Sequence, residues 1–158
     1  MSGINSNANL PPDPEVVFRA WLLSKSTITD EVGQRVATRL PHEATLPFVV
    51  IRAEGNTLLD AQSQAAVGVA AMRVMVYAGR WGSDGTKPEP DFATASDIAQ
   101  IIYKEAFIEQ NVQVTTSSGT KAWIYSLNIE SSPIRTESRE LQVAVFEVAI
   151  NMTYRYSE

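Results

Sequence analysis

The chain has 158 residues, of which 44% are hydrophobic and 20% charged, enough for one domain with a real core, so disorder throughout is excluded. A net charge of −5 argues against a protein that coats nucleic acid by charge alone. The absence of cysteine removes disulfide frameworks, zinc–thiolate sites and thiol catalysis, and the single histidine, His42, is the one base on which a hydrolase triad would depend.

Residues 1–12 are rich in Asn, Ser and Pro and have little to bury. They predict a mobile arm ahead of a single domain over residues 13–158. The same stretch lacks the basic and apolar regions of a signal peptide. No segment approaches the roughly 20 apolar residues needed to cross a bilayer, so the expectation is a soluble protein made in a cytoplasm, with no membrane partner.

Asp13-Pro14-Glu15 reads as a helix start: a capping side chain, a proline suited to the first position, and an acid in the positive first turn. Val17, Ala20, Trp21 and Ser24 follow at helical spacing, which predicts a helix over residues 14–25. Thr27 to Gly33 reads as a turn in which Ile28 and Val32 touch the core. Val36 to Leu40 is a short strand ended by Pro41, and His42 to Thr45 is a loop. Leu46 to Arg52 is a β-branched strand that Glu54-Gly55-Asn56 breaks.

Residues 57–64 fit either a helical turn or a strand. From Ala65 to Ala78 the period is two. Ala70, Met72, Val74, Val76 and Ala78 share one face, and Val69, Ala71, Arg73, Met75 and Tyr77 the other. Both faces are mostly apolar, so the strand is expected to be central and covered on both sides for part of its length. Gly68 is a candidate bulge, and Arg73 is expected to snorkel or pair with a carboxylate. Residues 79–90 hold three glycines and two prolines and predict a mobile loop. Arg80, Trp81, Asp84 and Lys87 are its candidate interaction residues, Trp81 because an exposed tryptophan in such a loop is unusual.

Asp91 to Glu109 is the second predicted helix, with Asp91 or Thr94 as cap. Phe92, Ala95, Ile98, Ala99, Ile102, Ala106 and Phe107 form its apolar stripe, and Ile101, Tyr103 and Ile108 extend the apolar surface further. Val112 to Thr116 is a strand, and Ser117 to Thr120 a turn. In Ala122 to Glu130, Trp123, Tyr125, Leu127 and Ile129 alternate with polar residues. Ser132-Pro133 ends that strand, and Arg135 to Arg139 is a polar loop.

The last strand is long. Its even positions from Ala144 to Tyr156 are all apolar or aromatic, and its odd positions are mostly polar. The sixteen residues from Leu141 to Tyr156 would span about 50 Å when extended. A domain of this size has a radius of gyration near ~15 Å. A strand that long points to a subunit that pairs with neighbours, and it makes Phe146, Val148, Ile150, Met152 and Tyr154 candidates for the subunit interface. The expected class is α+β, a mainly antiparallel sheet with two helices packed on it and a long C-terminal strand.

Chemistry is scarce. His42 and Glu43 are adjacent and do not converge on a metal. Asp84 lacks the spacing of a calcium loop, and residues 79–85 lack the lysine of a phosphate loop. Trp123, Tyr125, Tyr154 and Tyr156 lack the basic surround of a nucleic-acid platform. No catalytic, cofactor-binding or metal residues are predicted, and no cofactor.

The order of these segments resembles the tail-terminator and tail-completion proteins of long-tailed bacteriophages. The likeness rests on the opening helix from Pro14 to Leu23, on Arg35-Val36 leading to Leu46-Pro47-Phe48-Val49-Val50-Ile51, and on the strand Met72 to Tyr77 with its loose following loop. It continues through the helix Ala95 to Ile102 and the closing strand that ends Met152-Thr153-Tyr154-Arg155-Tyr156. The arm before Asp13 departs from the pattern. The resemblance implies a non-catalytic subunit of a virion, assembled in the host cytoplasm and sited at the tail–neck junction. It implies a homo-oligomeric ring, commonly a hexamer, whose partners are the tail tube protein and the head–neck connector. DNA would pass through its lumen without specific binding. A head-completion, neck or tail-tube-related subunit is the close alternative. A small ligand-binding α+β module with a pocket between sheet and second helix is the alternative of another class, and an enzyme comes third.

Overall fold

The protein's structure, a computed structural model, describes residues 13–58, 67–82, 85–136 and 143–156. The predicted N-terminal arm, most of the ambiguous stretch after Thr57, Asp84, and residues 137–142, which include most of the predicted polar loop, lie outside the described residues.

Helix α1 (Pro14–Leu23) begins as its sequence dictates. Asp13 accepts a hydrogen bond from the Glu15 amide at 2.9 Å, Pro14 occupies the first turn, and Ser24 closes the other end by donating to the Trp21 carbonyl at 2.6 Å. Val17, Phe18, Trp21 and Leu22 are its buried residues. The segment read as a turn is a second helix, α2 (Ser26–Val32). Ile28 and Val32 stand one helical turn apart and are both fully buried. Seven residues without a side-chain cap would not hold as a helix alone, and packing against α1 and α3 (Phe92–Ile108) holds this one. The domain therefore has three helices among its described residues, one more than expected.

The sheet runs β1 (Val36–Ala37), β2 (Phe48–Leu58), β3 (Gly68–Arg80), β7 (Ala144–Tyr156), β6 (Lys121–Thr136), β5 (Gln110–Thr115), with β4 (Glu89–Pro90) hairpinned onto the end of β3. Every pairing is antiparallel except β1 with β2. The α+β class with a long C-terminal strand is thus what the chain forms. That strand, however, lies at the middle of the sheet. β3 pairs with it from Ala78 to Gly68 and β6 from Thr136 to Ala122. Its length is matched inside the chain by two equally extended neighbours, so it leaves no long edge that needs a second subunit.

Two strands run further than predicted, for one physical reason. A residue that does not fit the ladder is absorbed as a bulge and pairing resumes beyond it. In β2 the register slips between Ala53 and Gly55, so Glu54-Gly55-Asn56 kinks the strand without ending it. The Ala53 amide at the slip finds the Glu15 carboxylate of α1 at 3.1 Å. In β6 the slips between Ile129 and Ile134 accommodate Pro133, which has no amide to give a ladder. The bulge predicted at Gly68 is absent, since that residue pairs regularly with Leu58 and Tyr154.

A further slip between Ile124 and Ser126 reverses which residues of β6 point inward. Ala122 and Ile124 are buried before it and Leu127 after it. Trp123 and Tyr125 do not share a face with Leu127 as the alternation implied. Trp123 stands opposite Arg155 and is only half-buried.

The helices occupy one side of the sheet. α3 lies along β3, β7 and β6. α1 contacts both β2 and β5, which lie towards opposite edges, so the sheet curls around the helices. The shared core joins Phe18, Trp21 and Leu22 to Met72 and Val74, to Ile98 and Ile102, and to Ile150, Met152 and Tyr154. On the outer face the described residues cover one corner. There the segment from Ala37 to Leu46 folds over Phe48, Val50, Met75 and Tyr77. That is the partial second cover predicted for β3.

Asp91 caps α3, accepting the Thr94 amide at 3.0 Å and the Thr94 hydroxyl at 2.6 Å. These donors hold its carboxyl below the ordinary value of 3.8. A carboxyl depressed in the folded state stabilises it above the unfolded value and loses that effect as pH falls through the folded one. Asp91→Ala should therefore melt below the wild type at pH 7, and the gap should narrow as the pH drops under 3.8 in a series of thermal melts. Gly79 has φ +135°, and a Cβ there would meet the Glu89 carbonyl oxygen at 2.2 Å. Gly79→Ala should detach β4 and lower stability by roughly 2 kcal/mol in chemical denaturation, with the fastest-exchanging new amides at residues 79–90.

Candidate interaction surfaces

The hairpin after β3 is more built than a loose loop. Gly79 pairs with Pro90 and Arg80 with Glu89, and the Arg80 guanidinium meets the Glu89 carboxylate at 2.9 Å and the Lys87 carbonyl at 3.4 Å. Trp81 is half-buried, and its indole N–H donates to the Ala44 carbonyl at 2.6 Å. The indole thus ties this hairpin to the loop before β2 instead of standing free. Of the predicted interaction residues, Arg80 and Lys87 are exposed beside it.

Between these two loops and the outer face of the sheet lies a cleft of about 780 Å³. Leu40, Pro41, Val50 and Pro88 give it apolar walls, and Arg39, Arg52, Tyr77 and Trp81 supply polar atoms. Neither Arg39 nor Arg52 has a hydrogen bond or ion pair among the described residues. Burial pushes the Tyr77 phenol above its ordinary value of 10.0, with Arg52 pulling it partly back. His42 lies on the rim, 4.0 Å from Glu43, and is almost fully solvated. The cleft brings two arginines and one carboxylate, Glu43, together between apolar walls, and this grouping went unseen in the sequence. Arg39 and Arg52 are thirteen positions apart and meet only because β1 crosses over to run parallel to β2. Between the sheet and α3, the helix expected to flank a pocket, Ala95, Ile98, Ala99, Ile102 and Ala106 are packed at no more than 1% exposure, which leaves no pocket there among the described residues.

The face of β7 proposed for subunit contact is used within the chain. Val148, Ile150, Met152 and Tyr154 are completely buried, and Phe146 is packed against the same core. The Tyr154 hydroxyl accepts from the Asn56 amide group at 2.9 Å. Alternation shows that a strand face is apolar. It does not show whether helices of the same chain or another subunit cover it.

The opposite face of β7 belongs to the open outer surface of the sheet. Arg73 is paired there, as expected: its guanidinium contacts the Glu147 carboxylate and reaches Glu54 at 2.8 Å. The hydrogen bond to Glu147, then its charge, raise the arginine's pKa. Asn151 donates to Glu130 at 2.7 Å, and Arg155 lies over the Tyr125 ring at 5.8 Å. The aromatic group considered as a platform is therefore divided. Trp123 and Tyr125 are on the outer face and Tyr154 is in the core.

The described residues include no cluster of three or more His, Cys, Asp or Glu able to hold a metal ion. No helix among them is long and apolar enough to cross a membrane. One further surface stands out. Phe107, assigned by spacing to the buried stripe of α3, is 70% exposed, and Ile108 beside it is 73% exposed. Ala106 in the same turn is fully buried, and Phe107 stands about 100° further round the helix, off the stripe and on the side of Tyr103.

The sequence matches no protein-family model, and no curated protein matches it. Among solved structures, the fold is similar to that of a chain in the virion of a native gene transfer agent particle. The similarity covers 90% of this chain and 92% of that one, with a TM-score of 0.51 and 14% identity. At that identity the match shows a shared fold, and it extends over nearly the whole of both chains.

Proposed function

We propose that this chain is a structural subunit of a phage-like particle and that it acts as a tail terminator. In this reading, copies form a ring, commonly of six, that caps the tail tube and joins it to the head–neck connector. DNA crosses the lumen without specific contacts, and the chain carries out no catalysis. The observation that carries the reading is the fold shared, end to end, with a chain of a gene transfer agent virion. The order of segments, which resembles phage tail-completion proteins, points the same way independently. An acidic net charge suits a passage through which DNA slides. The open outer sheet face offers paired charges and half-buried aromatic residues, the mixed surface that protein partners cover.

A neck or head-completion role is the close alternative within the same class. A ligand-binding module is favoured by one feature, the cleft around Arg39, Arg52, Tyr77 and Trp81. Deleting the gene from its native genome and imaging the particles by electron microscopy separates these readings. Over-long or headless tails are expected. Filled heads lacking any neck would shift the role to head completion, and normal infectious particles would overturn the assembly reading.

A further inference from the structure

The cleft and the exposed end of α3 lie at opposite ends of the molecule. The Asp91 amide binds the Ala78 carbonyl, so α3 starts beside the hairpin that walls the cleft. Its 17 residues then carry Phe107 and Ile108 about 25 Å away. Phe107 and Ile108 are more exposed than any other large hydrophobic residue described, and Tyr103 stacks on Phe107 at 6.3 Å between ring centres. An adjacent apolar pair this exposed, backed by a stacked ring, is a shaped knob rather than scattered surface.

The charges at the two ends are complementary. The last turn of α3 carries no basic residue, and the partial negative charge of a helix C-terminus gathers there. Glu105 adds a carboxylate, held by the Thr27 hydroxyl at 2.8 Å, and Asp30 and Glu31 line the same shallow surface with Lys104, while Lys25 is neutralised by Glu109 just past the helix end, so the acids are in excess. The cleft presents Arg39 and Arg52, which have no hydrogen bond or ion pair among the described residues, against one carboxylate, Glu43, and it has apolar walls. Guanidinium groups in excess beside apolar surface fit a helix end that bears both negative charge and exposed hydrophobic side chains.

We propose that the carboxyl end of α3, with Phe107 and Ile108 at its tip, docks into the Arg39–Arg52–Trp81 cleft of a second copy of this chain. The proposal rests on the assembly reading and deepens it by naming the two surfaces of the subunit contact. Because the knob and the cleft are different patches far apart on one molecule, the contact is heterologous, and repeating it closes a ring wherever the rotation permits. The contact takes up the β2 corner of the outer face, leaves the part around Glu147, Asn151 and Arg155 free for other partners, and does not draw on the β7 core.

The chain's lack of cysteine makes the test clean. His42→Cys at the cleft rim and Ile108→Cys at the knob both replace exposed side chains. Within one chain they are too far apart for a disulfide, which needs Cα atoms within about 7 Å. The double variant H42C/I108C, mildly oxidised, should give a covalent ladder on a denaturing gel that stops at the ring size. Each single variant should give at most dimers. Phe107→Asp should keep the wild-type circular dichroism melt and raise the concentration needed for assembly by at least ~tenfold in light scattering. If oligomers persist while H42C/I108C forms no ladder and F107D assembles normally, the docking proposal fails and the ring reading stands. If the wild type stays monomeric at every concentration, both fall.

Discussion

β7 is hydrogen-bonded along both edges, by β3 on one side and β6 on the other, and its inward residues from Ala144 to Tyr154 floor the core beneath α3. Most of the remaining structure depends on that placement. A central strand this long requires neighbours of equal reach, so β3 and β6 must be extended. β3 pairs along β7 without a break in register, while β6 reaches as far by taking up misfit residues as bulges. The sheet then curls, α1 can touch strands near both edges, and the helices enclose one continuous core. The other face of the same strand stays largely open, with Arg73, Glu147, Asn151 and Arg155 across its surface.

The interior and the surface of the molecule differ in what their polar groups do. The described interior is filled by packed apolar side chains, and the polar groups it holds serve the fold. Glu109, for example, accepts the Trp21 indole N–H at 3.0 Å and pairs with Lys25 at 2.5 Å, joining α1 to the end of α3. The surface, by contrast, carries guanidinium groups with no hydrogen bond or ion pair among the described residues, an exposed aliphatic and aromatic pair, and a sheet face with half-buried aromatics.

Much of this architecture was legible in the residues. The caps at Asp13 and Asp91, the stripe through Ile98 and Ile102, and the unbroken alternation of β7 are strong local signals, and each produced the element it implied. Signals that depend on distant partners were not legible. α2 has two apolar residues in seven and exists through tertiary packing. The bulge between Ile124 and Ser126 turns Trp123 and Tyr125 outward, which no periodicity could reveal. The cleft requires Arg39 and Arg52 to meet across a crossover, and Phe107 lies off the side of α3 that the sheet covers. For β7 the alternation marks an apolar face without identifying what covers it, and within the chain its inward residues are covered by the chain's own core.

The central claim is that the chain works as one subunit of a closed assembly. Native mass spectrometry of the purified protein across a concentration series tests it most directly. The account predicts a single closed oligomer, near six copies, in equilibrium with monomer and without a continuous series of larger species. A monomer throughout the series, or an open-ended ladder of sizes, would contradict it.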